Sequence, residues 1–294
     1  MLFMVRLTGY ALMVASLASP RLAGRLAFGL FAYPGPRARV RGSEQSVHDR
    51  AEVEPLPVAG ERVVSYRWGD GSRPVLLVHG WGGRGSRFAA LVPALQANGF
   101  SAITFDAPGH GESSGRSTHI LGLEAIIHRL SERYGRFEAV IGHSFGVLPV
   151  FKALRSGVAA GRVVAISGPS DLGYLPEKFA EQLGLGRRVR ADLRRRMERF
   201  FASEPNIWET FSAPYQSSAL QLPILIVHDQ DDPVVDPDQA HRLAEAYAPW
   251  ARLVTTRGVG HHRILATPEV IDQIVDLLNR EDPAGHSQPL LRAV

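Results

Sequence analysis

From residue 60 onward, short apolar runs rich in β-branched residues alternate with helix-length stretches. That rhythm is the signature of a mostly parallel sheet wrapped by helices on both faces. Strands are expected at 62–68, 74–79, 101–105, 138–142, 162–167, 223–228 and 252–255, and helices at 88–98, 120–134, 145–156, 237–247 and 268–280. The 74–79 run is almost wholly apolar, as a central strand buried on both faces must be. Between 167 and 223 the alternation stops. There Val189, Leu193, Met197 and Phe200 recur at helical spacing among arginines, which predicts an amphipathic helix with a basic outer face.

One five-residue word sits between a predicted strand and a predicted helix: Gly142-His143-Ser144-Phe145-Gly146. A G-x-S-x-G word in that position makes a sharp turn that projects the serine hydroxyl at the sheet edge. The flanking glycines avoid collisions with the neighbouring strand and helix. A hydroxyl becomes an effective nucleophile when a base takes its proton and a carboxylate orients that base. Both follow downstream, after strands whose C-terminal ends form the usual ligand edge of an open α/β sheet. The acids lie in 227–235, with Asp229, Asp231 and Asp232, and the bases in 258–263, with His261 and His262.

Five words in one order carry a resemblance. They are His79-Gly80-Trp81-Gly82-Gly83, the 106–113 run from Asp106 to Ser113, the 142–146 elbow, the Asp-Asp-Pro at 231–233, and Gly260-His261. Over roughly 60–280 the chain resembles the α/β-hydrolase superfamily, in particular its bacterial esterase- and lipase-like members with a short helical cap. The resemblance implies an α/β-hydrolase fold, a mostly parallel central sheet with helices on both faces and a small helical cap. It makes Ser144 the nucleophile, His261 the general base and then acid, and Asp232 the carboxylate that orients His261. Asp231 remains a competitor for Asp232, with Asp171 a remote substitute, and His262 competes with His261. The oxyanion would be held by the backbone N–H groups of Trp81 and Phe145. His79 and His110 read as loop-holding histidines. Trp81, His143, Trp208 and Phe211 are the substrate-binding candidates, with Phe179, Phe200, Phe201 and Tyr215 as an apolar ceiling.

The implied activity is that of a serine hydrolase on a small-molecule acyl ester, thioester or lactone, through an acyl-enzyme. A serine in the elbow excludes the superfamily's aspartate-dependent dehalogenase and epoxide-hydrolase chemistry. Acyl transfer to an alcohol and perhydrolysis use the same triad and stay open, as does a silent binding module on the same fold. The absence of cysteine excludes disulfides, thiolate metal sites and a cysteine nucleophile. No cofactor or metal is expected.

Residues 1–32 are apolar but interrupted. The uncharged run from 7 to 20 is too short for a spanning helix, which needs about 20 residues. Arg21 and Arg25 set among later apolar residues suit an amphipathic helix, packed on the protein or lying on a bilayer. The expectation is a cytoplasmic protein with peripheral membrane contact through 1–32. A signal peptide ending near Ser16-Leu17-Ala18 is the alternative. The division expected is 1–57 helix and connector, 58–170 and 216–282 core, 171–215 cap, and 283–294 frayed tail. Net charge is only +4, and all cations but Lys152 and Lys178 are arginine. The high pI therefore reflects arginine, and no nucleic-acid partner is expected. A basic surface module built on 187–199 and the N-terminal helix is the remaining reading.

Overall fold

A computed structural model describes residues 2–280; the tail expected to fray over 283–294 lies outside them. Eight strands form one sheet: β1 (Glu52–Val58), β2 (Glu61–Trp68), β3 (Pro74–Val78), β4 (Ser101–Asp106), β5 (Ala139–His143), β6 (Val163–Ile166), β7 (Ile224–Asp229) and β8 (Ala251–Thr256). Their spatial order is β1-β2-β4-β3-β5-β6-β7-β8. β2 runs antiparallel to both β1 and β4, and every pairing from β4 through β8 is parallel.

Among the described residues, twelve helices accompany the sheet. They are α1 (Leu2–Ala18), α2 (Pro20–Phe31), α3 (Gly42–His48), α4 (Val92–Ala97), α5 (Ile120–Tyr134), α6 (Val147–Arg155), α7 (Tyr174–Gln182), α8 (Arg187–Phe200), α9 (Ile207–Thr210), α10 (Asp238–Ala246), α11 (Gly260–Arg263) and α12 (Pro268–Asn279). Strand alternation sorts the core into two layers. Leu76, Val78 and Val140 pack toward α5 and α6, whereas Val75, Leu77 and Ile141 pack toward α4 and α12. Period-two side-chain alternation fills both layers at once, so the central strands read as unbroken apolar runs.

Three features depart from the sequence reading. The stretch to Pro57 read as a connector contains α3 and the edge strand β1. Pro55 and Pro57 hide that strand in the sequence, and prolines are tolerated there because an edge strand leaves some N–H groups unpaired. A two-residue turn with both Ala59 and Gly60 at positive φ closes the β1–β2 hairpin. The helix expected over 88–98 begins only at Val92, after a 3-10 turn at Gly85–Phe88, because Pro93 favours a first-turn position. The single N-terminal helix is two: Ser19 leaves helical geometry, caps α2 through its hydroxyl, and Pro20 starts the new helix.

Candidate active site

β5 delivers the chain to Ser144 at the C-terminal edge of the sheet. Ser144 sits at φ +54°, a left-handed conformation that costs a non-glycine residue about 1–2 kcal/mol. The turn is tight because its neighbours are close. A methyl on Gly146 would lie 2.5 Å from the Val78 carbonyl oxygen, and one on Gly80 would lie 2.6 Å from Ser144 Cβ.

His261, on the short helix α11 beyond β8, is buried and faces this hydroxyl. Its Nε2 lies 2.9 Å from Ser144 Oγ and its Nδ1 2.8 Å from Asp232 Oδ2. This arrangement suits Nδ1–H donating to the carboxylate and Nε2 accepting from the serine. The other carboxylate oxygen of Asp232 accepts the Val234 and Val235 N–H groups at 2.8 and 3.1 Å. Burial works against the charge on Asp232. The His261 hydrogen bond and charge, with the two backbone donors, outweigh it and hold the carboxyl below its ordinary range.

The competing acids have other partners. Asp231 accepts the Gly258 N–H at 3.0 Å. Asp171 caps α7 by accepting the Tyr174 N–H at 2.8 Å. Asp229 accepts Thr256 Oγ1 and the Val259 N–H, tying the end of β7 to the loop that carries His261. His262 is exposed, and its ring lies edge-on to His261 at 5.0 Å. His228, which the sequence reading did not assign a role, lies 3.5 Å from Asp232 Oδ2 and donates to the Val235 carbonyl at 2.9 Å. It buttresses the acid turn. Its only sequence signal was adjacency to the acid cluster.

The loop after β3 crosses directly over Ser144. His79 donates from Nδ1 to the Gly80 carbonyl and accepts the Ala107 N–H at Nε2. His110 accepts the Gly82 N–H at Nε2 and faces the Pro108 carbonyl with Nδ1. The Trp81 N–H has no protein acceptor among the described residues, and the Phe145 N–H lies in the first turn of a 3-10 helix, where amides lack intrahelical partners. The Trp81 and Phe145 rings meet edge to face at 5.2 Å.

Two cavities meet at Ser144 and Trp81. One, of about 570 Å³, is apolar, with walls that include Phe31 of α2, Leu175 and Phe179 of α7, Phe201 and Val234. The other, of about 520 Å³, is more polar and includes Arg41, Arg87, His143, His262 and Arg263. Trp81 lines both cavities and His143 the second. Trp208 and Phe211 line neither. Trp208 donates to Glu198 and lies under Arg194, joining α9 to α8. Phe211 is fully buried against Phe201. The chain reverses at Asn206, in a left-handed conformation, and turns this aromatic segment inward. Of the expected ceiling, Phe179, Phe200 and Phe201 line the apolar cavity; Tyr215 lies under Arg155 instead. Phe28 and Phe31, from the N-terminal helices, were missed because nothing local in the sequence ties α2 to the cap.

The ligand atoms of His143, His261 and His262 lie within 4.8 Å of one another, close enough to share a metal ion. Both nitrogens of His261 are already engaged, however, and His143 donates from Nε2 to the His261 carbonyl at 2.9 Å. A metal there would have to displace the Ser144 contact.

The buried histidines make stability depend on pH. Burial, reinforced by the neighbouring His110, pushes His79 from 6.5 down to about 4. Burial, reinforced by His261, pushes His143 from 6.5 down to about 3. Below about pH 6.5 the unfolded chain takes up protons that these folded histidines refuse, so stability rises with pH in that range and falls on acidification. Both histidines contribute to this loss, which runs down to about pH 4 for His79 and about pH 3 for His143. Urea unfolding is expected to show a lower midpoint at pH 5 than at pH 7, with a flatter dependence in His143→Gln. Equal midpoints at the two pH values would contradict this account.

A family model described as "Alpha/beta hydrolase family" matches residues 75–274. A serine hydrolase-like protein of Danio rerio is 30% identical over 137 residues, covering 43% of this chain and 40% of that protein. The chain therefore spans under half the length of that relative. A pyrethroid hydrolase of Sphingobium wenxiniae is 22% identical over 259 residues, covering 74% of this chain and 91% of that protein. Among solved structures, an esterase of Pyrococcus furiosus aligns with a TM-score of 0.61 at 20% identity, covering 83% of this chain and 97% of that one.

Proposed function

The chain belongs to the alpha/beta hydrolase family, and from that premise we propose that it is a serine hydrolase of carboxylic esters with a lipophilic acyl group. The observation that carries the reading is the linear contact of Ser144, His261 and Asp232, at 2.9 and 2.8 Å, where an apolar cavity meets a more polar one. Ser144 Oγ attacks the acyl carbon as its proton passes to His261 Nε2. Asp232 holds the ring in the required tautomer and stabilises the imidazolium. The oxyanion takes the N–H groups of Trp81 and Phe145 as donors, fixed in advance by the loop contacts of His79 and His110. Collapse expels the alcohol, which leaves with the proton from His261. Water, deprotonated by the same nitrogen, then cleaves the acyl-enzyme and returns Ser144.

The acyl chain belongs in the apolar cavity, between the N-terminal helices and the cap. The alcohol portion faces the polar one. A fluorophosphonate probe is expected to label Ser144 stoichiometrically. Across p-nitrophenyl esters, kcat/KM is expected to rise from acetate to medium chains as the apolar cavity fills. A folded protein that the probe does not label would overturn the reading. Labelling with a flat chain-length profile would overturn only the acyl assignment.

A further inference from the structure

The outer face of the N-terminal helix pair is apolar and, among the described residues, uncovered. On α1, Leu7, Tyr10, Val14 and Leu17 recur three and four residues apart and are 55–83% exposed. On α2, Leu22, Leu26 and Leu30 recur at four-residue spacing and continue the exposed face. The opposite side is already used: Leu12, Ala23 and Ala27 are buried against Ala180, Leu185 and Val189 of the cap. Arg196 donates to the Arg21 carbonyl at 2.9 Å, locking α2 onto α8. The exposed side chains are therefore held in place by a packed helix pair. Rows of exposed apolar side chains held in this way mark an interaction site.

Charge selects the partner. Residues 1–43 contain six arginines and no acidic residue. Arg21 and Arg25 stand exposed beside Leu22 and Leu26, and Arg187 and Arg188 are exposed at the start of α8. None of these four forms an ion pair with a carboxylate among the described residues. Two copies meeting through this face would bring like charges together, whereas an anionic lipid surface offers apolar depth and phosphate charge at once. Length selects the mode. α1 has 17 residues, about 25 Å of helix against the roughly 30 Å of a bilayer core. No helix among the described residues is long and apolar enough to cross a membrane.

We propose that the outer face of α1 and α2 docks on an anionic lipid surface, lying in the headgroup region. The placement has a consequence for the cavity. Leu30 belongs both to the exposed face and to the apolar cavity lining, and Phe28 and Phe31 of the same helix line that cavity from within. A lipophilic ester partitioned into the surface would meet the cavity at the α2 wall.

The test uses the full chain as Ser144→Ala, which prevents consumption of vesicle lipid, and co-sedimentation with vesicles of phosphatidylglycerol and phosphatidylcholine or of phosphatidylcholine alone. Binding is expected on the anionic vesicles, weakened by salt, and much less on the neutral ones. Val14→Glu with Leu17→Glu is expected to weaken partitioning about a hundredfold, the loss that withdrawing two such side chains implies. In the active chain, the same pair is expected to leave turnover of a soluble p-nitrophenyl ester and the melting temperature unchanged, which excludes misfolding. Three results would each overturn the proposal: no binding to anionic vesicles, undiminished binding of the glutamate variant, or binding that resists alkaline carbonate, which means a spanning anchor. A dimer in solution that the glutamate variant splits would assign the face to a second copy instead. The docking result is independent of ester hydrolysis, because the fluorophosphonate assay reports on Ser144 alone.

Discussion

Ser144→Ala is expected to lower ester turnover by about 10⁴- to 10⁶-fold while leaving the folded protein as stable as wild type. The reasoning is geometric. Among the described residues Ser144 Oγ hydrogen-bonds His261 alone, so its removal leaves no buried donor in the core without a partner. Alanine keeps the Cβ, so the strain of φ +54° is neither relieved nor increased. His261→Ala is expected to fall nearly as far, and the double variant little further, because groups that act as a unit lose their effect together. Asp232→Asn is expected to cost about 10⁴-fold, since an amide at Oδ2 presents a donor to His261 Nδ1–H and favours the wrong tautomer. Asp231→Asn is the contrast: its carboxylate serves the Gly258 N–H, and its loss is expected to leave turnover within about tenfold of wild type. Initial rates on a p-nitrophenyl ester, with melting temperatures alongside, separate these outcomes. Retention of more than a tenth of wild-type turnover by Ser144→Ala would require a different nucleophile.

How far such a site can be read in a sequence depends on how local its determinants are. The elbow is legible because strand, turn and helix are adjacent in the chain and the glycines are dictated by contacts within a few residues. The parallel core is legible for a similar reason: strands buried on both faces must be largely apolar, as β3 is throughout and β5 is up to His143. Residue types narrow the acid only to a cluster, within which the resemblance favours Asp232. What separates Asp232 from Asp231 is which carboxylate turns toward a histidine about thirty residues away, and composition carries no record of that turn. β1 was invisible because its prolines and its largely exposed, acidic sequence mimic a connector. The cavity wall was the least legible part. Phe28 and Phe31 meet Phe200 and Phe179 across more than 140 residues of chain. Trp208 and Phe211 look equally suited to a pocket by residue type, yet they pack against Arg194 and Phe201. Aromatic content identifies what a cap is built from. Only tertiary packing decides which rings face substrate.

The largest effect on stability is expected at a residue outside the chemistry. Asp106, at the end of β4, is fully buried and accepts four hydrogen bonds. Tyr66 Oη, Arg84 Nη2 and the Glu112 N–H meet Oδ2 at 2.9, 3.1 and 2.9 Å, and the Gly85 N–H meets Oδ1 at 2.8 Å. Arg84 is itself buried, and its other carboxylate partner, Glu112, is half exposed. Asp106→Ala therefore strands a buried guanidinium, two backbone N–H groups and a phenol in one step. Breaking a buried ion pair from one side costs about 3–5 kcal/mol, or about 10 °C in melting temperature for a domain of this size. Replacing Arg84 and Asp106 together by apolar residues is expected to cost less than the sum of the single changes, because the stranded charge disappears. The network also reaches the site. Arg84 and Gly85 end the loop that carries Trp81, and Glu112 lies in the turn whose His110 holds the Gly82 N–H. A conservative Asp106→Asn is accordingly expected to lower kcat as well as stability, with Ser144 still labelled by the probe but more slowly. A loss below about 1 kcal/mol in urea unfolding, the worth of an ordinary surface ion pair, would mean that the four contacts do not hold the two loops together. The 106–113 run would then owe its composition to turn geometry alone.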